Sequence, residues 1–278
     1  LFKVVDRKEL APIEFEILVE APLIAKKARA GQFVILRIDE AGERIPLTIV
    51  DTDPEAGLVR LIFQVIGKST AQLATIMAGD SLSDIVGPLG KPTDIENYGT
   101  VMLVGGGVGI AALFPIVKAL KQAGNRVITI LGAKNESLLI LHEECAKYSD
   151  ELILMTDDGS LGQKGLVTQA MEEVFQRETI NMAWSIGPSI MMKFCNLTAE
   201  KYNVPIFVSL NPIMIDGTGM CGGCRVTIAG KTKFACVDGP EFLGAEVDWD
   251  EFINRMKQYH VEEEIANEAY EKQVKSNG

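Results

Sequence analysis

A change of pattern near residue 100 constrains this chain more than any other feature. Before it, short apolar runs at 13–19, 32–38 and 58–66 are separated by turn signals at Asp53-Pro54, Glu55-Ala56-Gly57 and Gly87-Pro88. Many short strands punctuated by Pro and Gly pack best as a small antiparallel barrel, expected over residues 1–97. From Thr100 onward, apolar runs at 101–104, 126–131, 151–155, 182–186 and 205–210 alternate with helix candidates near 110–123, 136–148, 163–177 and 188–202. That alternation predicts a doubly wound α/β unit with a parallel sheet over residues 98–210. A glycine- and cysteine-rich segment follows at 211–248, and a polar tail with helical pattern runs over 249–278.

The bulk properties exclude several classes. A net charge of −11 is wrong for a nucleic-acid groove, which needs a basic face. Residues 1–9 are too charged to supply the apolar core of a secretory leader. Five cysteines, an odd number and mostly late in the chain, suit a reducing cytoplasm and not a disulfide framework. The stretch from Asn97 to Lys118 is uncharged between its ends and about one bilayer thickness long as a helix. Glycines at 105, 106, 107 and 109 interrupt it, so a buried strand, a turn and a buried helix describe it better than a membrane span.

Three motifs carry chemistry. Gly105-Gly-Gly-Val-Gly-Ile-Ala-Ala112 stands after a strand and before a helix, where glycines let backbone N–H groups approach a pyrophosphate; a tight turn without a ligand would look the same. Arg44-Ile-Pro-Leu-Thr-Ile49 and Gly67-Lys-Ser-Thr70, the latter heading a predicted helix at 69–77, offer a guanidinium, hydroxyls, a cation and free N–H groups to an anion. No glycine stands at the first position of a P-loop, which argues against a nucleoside triphosphate. The third motif is Asp216-Gly-Thr-Gly-Met-Cys221-Gly-Gly-Cys224 with Cys236 beyond it. Two thiols spaced Cys-x2-Cys among glycines suit an iron–sulfur cluster, and Asp216 stands where the plant-type Cys-x4-Cys-x2-Cys spacing has its first thiolate. A structural zinc site with three cysteines is the rival. Cys145 and Cys195 fall in helical patterns as small buried residues, and His142 and His260 lie far from the loop in sequence.

With these motifs in this order, the chain resembles the ferredoxin-reductase family over almost its whole length. Within it, the chain is similar to the small subunits of electron-bifurcating reduced ferredoxin:NADP oxidoreductases, and more distantly to the electron-transfer subunits of dihydroorotate dehydrogenases. The resemblance implies FAD on Arg44, Pro46, Leu47 and Thr48, its phosphates at Gly67, Lys68, Ser69 and Thr70, and Phe63, Gln64 and Val65 alongside the ring. It implies NAD(H) at Gly105, Gly106, Gly107, Val108, Gly109 and Ala111, at Thr156, Asp157, Asp158 and Gly159, and at Gly187, Pro188, Met191 and Met192. It further implies a [2Fe-2S] cluster on Asp216, Cys221, Cys224 and Cys236. Many relatives carry Cys before the Gly-Pro pair, where this chain has Ile186, so no thiol role is expected there.

The implied activity is that of an oxidoreductase subunit, exchanging hydride between NAD(H) and FAD and passing single electrons through the cluster. The implied partner is a larger flavin and iron–sulfur subunit in a heterodimer. Two alternatives stay open: service to a dihydroorotate dehydrogenase, and a non-enzymatic redox-sensing module. Lys134, after the second strand of the α/β unit, could meet the 2′-phosphate of NADP or simply be solvated. The tail from Trp249 could be a solvated helix or a docking element.

Overall fold

The computed structural model describes residues 1–277; Gly278, the last residue of the expected tail, lies outside the described residues. The first sheet has seven strands: β1 (Phe2–Ala11), β2 (Glu14–Glu20), β3 (Phe33–Arg37), β4 (Arg44–Asp53), β5 (Leu58–Gln64), β6 (Ser81–Leu82) and β7 (Asp84–Leu89). They pair antiparallel in the order β6-β1-β2-β5-β4-β3-β7. The edge strands β6 and β7 are separated in the chain by Ser83 alone, whose N–H reaches the carbonyls of Arg37 and Ile38 at the end of β3. A sheet with its two edges tied by one residue rolls up, giving the expected, nearly closed barrel. Inward residues such as Ile17, Val19, Leu36, Leu61 and Leu82 fill it. Two short helices, α1 (Pro22–Ala25) and α2 (Lys68–Leu73), lie in its connections.

The second sheet begins with β8 (Thr100–Gly106), β9 (Arg126–Ala133), β10 (Glu151–Thr156), β11 (Gln163–Lys164), β12 (Met182–Ile186) and β13 (Ile206–Ser209). Its helices are α3 (Gly109–Gln122), α4 (His142–Ala146), α5 (Val167–Arg177) and α6 (Ser189–Lys201). The strand order is β11-β10-β9-β8-β12-β13, all parallel, so the winding reverses at β8, with β9 on one side and β12 on the other. Such a reversal splays the loops after β8 and β12 apart and opens a crevice at their carboxyl ends. Next come a hairpin of β14 (Arg225–Ile228) and β15 (Lys231–Phe234), then α7 (Ala235–Asp238) and β16 (Glu241–Leu243), which adds antiparallel to β13. The chain ends with α8 (Trp249–Met256) and α9 (His260–Asn277).

Several expectations need correcting. Residues 136–148 do not form one helix: a single 3-10 turn at Glu136–Leu138 is separated from α4 by Leu141, whose φ of 54° lies in the left-handed region. The helix expected from 163 starts at Val167, because Gln163 and Lys164 pair with β10 and Gly165 has φ of +141°. The helix expected at 69–77 is α2, which ends at Leu73. The tail does not begin as a solvated helix, since Trp249 and Phe252 are buried in a core with Cys224, Cys236 and Phe242.

Barrel and α/β unit share a core. Ala11, Val50 and Ile62 from the barrel pack with Leu103, Ile110, Phe114 and Trp184. Arg60 on β5 donates to Glu16 on β2 at 2.6 Å and forks onto both Glu144 carboxylate oxygens on α4 at 2.7 and 2.9 Å. Lys118 on α3 reaches Asp51 on β4 at 2.9 Å. These pairs fix the angle between the two walls of the crevice described next.

Candidate functional site

A cleft of about 1150 Å³ opens between the barrel and the switch point of the second sheet. That is beyond the roughly 300–1,000 Å³ usual for a single small ligand. Its barrel wall includes Pro46, Leu47 and Thr48 on β4 with Phe63 and Gln64 on β5. Its α/β wall includes Gly106, Gly107, Val108, Gly109 and Ala111 on one loop and Ile186, Gly187, Pro188 and Met191 on the other. Two motifs far apart in sequence thus face each other.

The glycine turn is shaped by contact. A Cβ on Gly109 would lie 2.6 Å from the Ile186 carbonyl oxygen and 2.7 Å from the Gly187 Cα, so the two loops touch backbone to backbone. A Cβ on Gly106 would strike the Met191 sulfur at 2.3 Å. Gly107, with φ of +53° and open space where a Cβ would be, turns the chain into α3 and leaves the first N–H groups of that helix beside the cleft. Thr70 lines the cleft, but its hydroxyl is a turn cap, accepting from the N–H groups of Ile66 and Gly67 and donating to the Gly67 carbonyl at 3.0 Å. Lys68 and Ser69 both turn to the Glu43 carboxylate, Lys68 at 3.6 Å. Arg44 is exposed two residues before Pro46, on the same face of β4.

Other expected residues lie away from the cleft surface. Thr156 is fully buried, its hydroxyl donating to the Leu161 carbonyl at 2.8 Å, and so it ties the loop after β10. Asp158 accepts from the Ser160 N–H and hydroxyl, which hold its carboxyl below the usual range, and Gly159 makes the turn with φ of +80°. Asp157 does reach the cleft, as does Lys134. Met192 is buried in the core beneath, Gly105 packs against Leu113 and Ile110, and Val65 packs on the barrel core. Gly67 contributes only the extended backbone before α2.

Glu14 was missed by sequence reading. It bounds the cleft where β2 meets β5, fully buried, with Gln64 donating to one carboxyl oxygen at 3.4 Å and the other without a partner among the described residues. Burial, with no cation to offset it, pushes its carboxyl up to about 7. Nothing local distinguishes a buried Glu from the solvated ones around it. Asn211, Met214 and Met256 also line the cleft and carried no motif.

The cysteine loop lies beside the core formed by the hairpin, α7 and α8. Asp216 spans it, one oxygen accepting from the Thr218 N–H and the other from the Cys221 N–H, both at 2.7 Å; these bonds hold its carboxyl below the usual range. The Cys224 and Cys236 sulfurs are buried 3.1 Å apart as free thiols, whereas Cys221 is exposed and accepts from the Gly223 N–H at 3.4 Å. The Cys224 and Cys236 sulfurs therefore stand as a pair, and Asp216 is tied to Cys221 through its backbone N–H. Burial and the neighbouring Cys224 push the Cys236 thiol up to about 12, so a bound metal has to displace its proton. Cys145 and Cys195 are buried core residues, as expected. His142 hydrogen-bonds the Leu139 carbonyl, and His260 pairs with Glu264.

A barrel fixed against a doubly wound sheet, with a switch-point crevice between them and a cysteine loop at the side, is the architecture of a flavin- and nicotinamide-dependent reductase with an iron–sulfur appendage. Residues 211–248 match the iron-sulfur cluster binding domain of dihydroorotate dehydrogenase B. The chain is 54% identical over 278 residues to a dihydroorotate dehydrogenase B electron transfer subunit homolog of Thermotoga maritima, covering 100% of this chain and 97% of that one. It is 34% identical to the dihydroorotate dehydrogenase B electron transfer subunit of Streptococcus pneumoniae, covering 86% of this chain and 97% of that one. A solved structure of the NADH-dependent reduced ferredoxin-NADP oxidoreductase, described for flavin-based electron bifurcation, superposes with a TM-score of 0.93 at 53% identity, covering 97% of this chain and 98% of that one. The chain belongs to the ferredoxin-reductase family, in its branch of dihydroorotate dehydrogenase B-type electron-transfer subunits.

Proposed function

We propose that this chain is the electron-transfer subunit of a flavin-based electron-bifurcating NADH-dependent reduced ferredoxin:NADP oxidoreductase. The barrel of residues 1–97 holds FAD, residues 98–210 hold NAD(H), and residues 211–248 hold a [2Fe-2S] cluster. When bound, these groups supply hydride exchange between NAD(H) and FAD and single-electron passage through the cluster. The protein's part is placement. Pro46, Leu47, Thr48, Phe63 and Gln64 form the flavin wall, Arg44 meets the pyrophosphate, and the Gly67–Thr70 turn exchanges Glu43 for a phosphate. Gly106 to Ala111 and Gly187 to Met191 form the opposite wall for the nicotinamide nucleotide, with Asp157 at its edge. Asp216, Cys221, Cys224 and Cys236 would hold the cluster. Gly109 meets Ile186 and Gly187 backbone to backbone, which keeps this part of the wall free of bulk where the nicotinamide nucleotide would lie. No protein acid or base is needed for the transfer, which agrees with Ile186, not a thiol, at that point of the cleft.

The observation that carries this reading is the single cleft shared by the flavin-type strand and the nicotinamide-type glycine turn, with the paired donor loop beside it. A larger flavin and iron–sulfur subunit completes the heterodimer, in the cytoplasm, which suits five free thiols. Among the described residues, no helix is long and apolar enough to cross a membrane. The second reading, service to a dihydroorotate dehydrogenase, is favoured by the 211–248 match. Asp216, where that reading expects a fourth cysteine, counts against it. The test is anaerobic stopped-flow with the FAD- and iron-reconstituted full chain. NADH should bleach the flavin faster than NADPH; no bleaching by either would overturn the proposal. Co-purification of the stoichiometric partner separates the two readings.

A further inference from the structure

Helix α8 begins one residue beyond the 211–248 match, yet its packing makes it part of the cysteine-loop core. Asp248 caps it by accepting from the Glu251 N–H at 3.0 Å, and the Trp249 indole N–H donates to the Gly244 carbonyl at 3.0 Å. Trp249 and Phe252 are buried with Cys224 and Cys236, so the helix cannot rotate. Arg255, one turn after Phe252, therefore faces the loop, and its Nη2 donates to the Gly223 carbonyl oxygen at 3.2 Å. Gly223 stands between Cys221 and Cys224, and its own N–H points at the Cys221 sulfur. The Arg255 Nε is buried with no hydrogen-bond partner among the described residues. A guanidinium N–H withheld from water costs stability unless an acceptor is supplied. The next residue, Met256, lines the nucleotide cleft, so this turn of α8 lies against both sites.

We propose that Arg255 is a positioning residue for the iron–sulfur loop: it clamps Gly223 and sets a permanent positive charge beside the anionic cluster, raising its reduction potential. This rests on the cluster assignment above. The guanidinium carries its donors in a fixed fork, so one nitrogen bonds the loop carbonyl while the buried Nε keeps an N–H for a further acceptor. A cation and N–H donors beside a cluster favour its more negative, reduced form. Arg225 adds only an exposed bond to the Gly222 carbonyl at 3.3 Å, so the half-buried guanidinium at the loop comes from the tail.

The test uses the full holoprotein with Arg255→Gln and Arg255→Lys, read by EPR-monitored redox titration and by the rate of cluster loss to a chelator. Arg255→Gln should move the midpoint to a more negative value and speed cluster loss roughly tenfold, the loss of one charge-assisted hydrogen bond. Arg255→Lys should restore the midpoint toward the parent's while cluster loss stays fast, because an ammonium lacks the fork. An Arg255→Gln protein with native melting behaviour and an unchanged midpoint and loss rate would overturn the inference. If that variant does not fold, a Lys variant losing its cluster no faster than the parent overturns it instead. A parent chain that binds FAD but shows no [2Fe-2S] spectrum would remove the cluster assignment and this inference with it.

Discussion

The glycine turn after β8 and the cysteine loop after β13 are both glycine-rich, and they are built on opposite physical terms. In the turn, Gly106 and Gly109 are seated against Met191, Ile186 and Gly187, so the backbone is held by what it touches. In the cysteine loop, Cys221 is exposed, Met220 is 87% exposed, and Asp216's two hydrogen bonds bridge the span. The neighbours of Gly217 there are the ends of the Leu89 and Ile35 side chains, which can move. One loop is fixed by packing, and the other is held mainly by the hydrogen bonds of a single carboxylate. Glycine in the first permits close approach of backbones; in the second it permits left-handed turns.

Substitutions at matched positions can break or sharpen this contrast. Gly109→Ala should have the largest effect, about 3 kcal/mol or more in chemical denaturation, because both neighbours of the new methyl are backbone. A loss below about 1 kcal/mol would mean that the two cleft loops are looser than they look. Preorganisation also has an electrostatic cost at Glu14, buried in the cleft wall. Its folded carboxyl stays protonated up to about pH 7, well above the usual glutamate range, so the folded state holds an extra proton between that range and pH 7. Stability therefore falls as pH rises through that window. Glu14→Gln removes the dependence and should gain up to about 3 kcal/mol relative to the parent between pH 4 and pH 8. Parallel stability–pH curves for the two proteins would refute it. Gly217→Ala should cost about 1–2 kcal/mol, mostly left-handed strain at φ of +73°, since the side chains it meets can yield. Gly107→Ala, at φ of +53° with open space around it, should cost about 1 kcal/mol in the same assay. If Gly217 proves as costly as Gly109, the contrast between the loops fails.

How much of this was legible follows from where the information lies. Most strands of the α/β unit could be read because they are short apolar runs, and β12 falls on its expected residues, 182–186; β11, the exposed pair Gln163–Lys164, could not. The barrel could be read from turn chemistry, but β1 could not. Its side chains, from Lys3 to Glu9, are largely solvated, and the strand exists because β2 and β6 pair with it on either side. Strand β16 has three residues, too few to show a period, and joins the sheet only through β13. The break at Leu141 was invisible because nothing local demands a left-handed leucine. Among site residues, glycines and cysteines announce themselves by type and spacing. Glu14 and Arg255 do not, because their significance comes from burial and from chain segments distant in sequence.

The core shared by Ala11, Val50 and Ile62 with Leu103, Ile110 and Phe114 carries a thermodynamic consequence. Two-domain chains often unfold in separate steps, each domain keeping its own melting temperature. Here neither sheet can open without exposing apolar surface on the other, and Arg60 on the barrel would lose its two-pronged bond to Glu144 on α4. Barrel and α/β unit should melt as one calorimetric unit, with van't Hoff and calorimetric enthalpies that agree. Destabilising either one then lowers the melting temperature of both, so a lesion in the barrel wall of the cleft is also felt at the α/β wall.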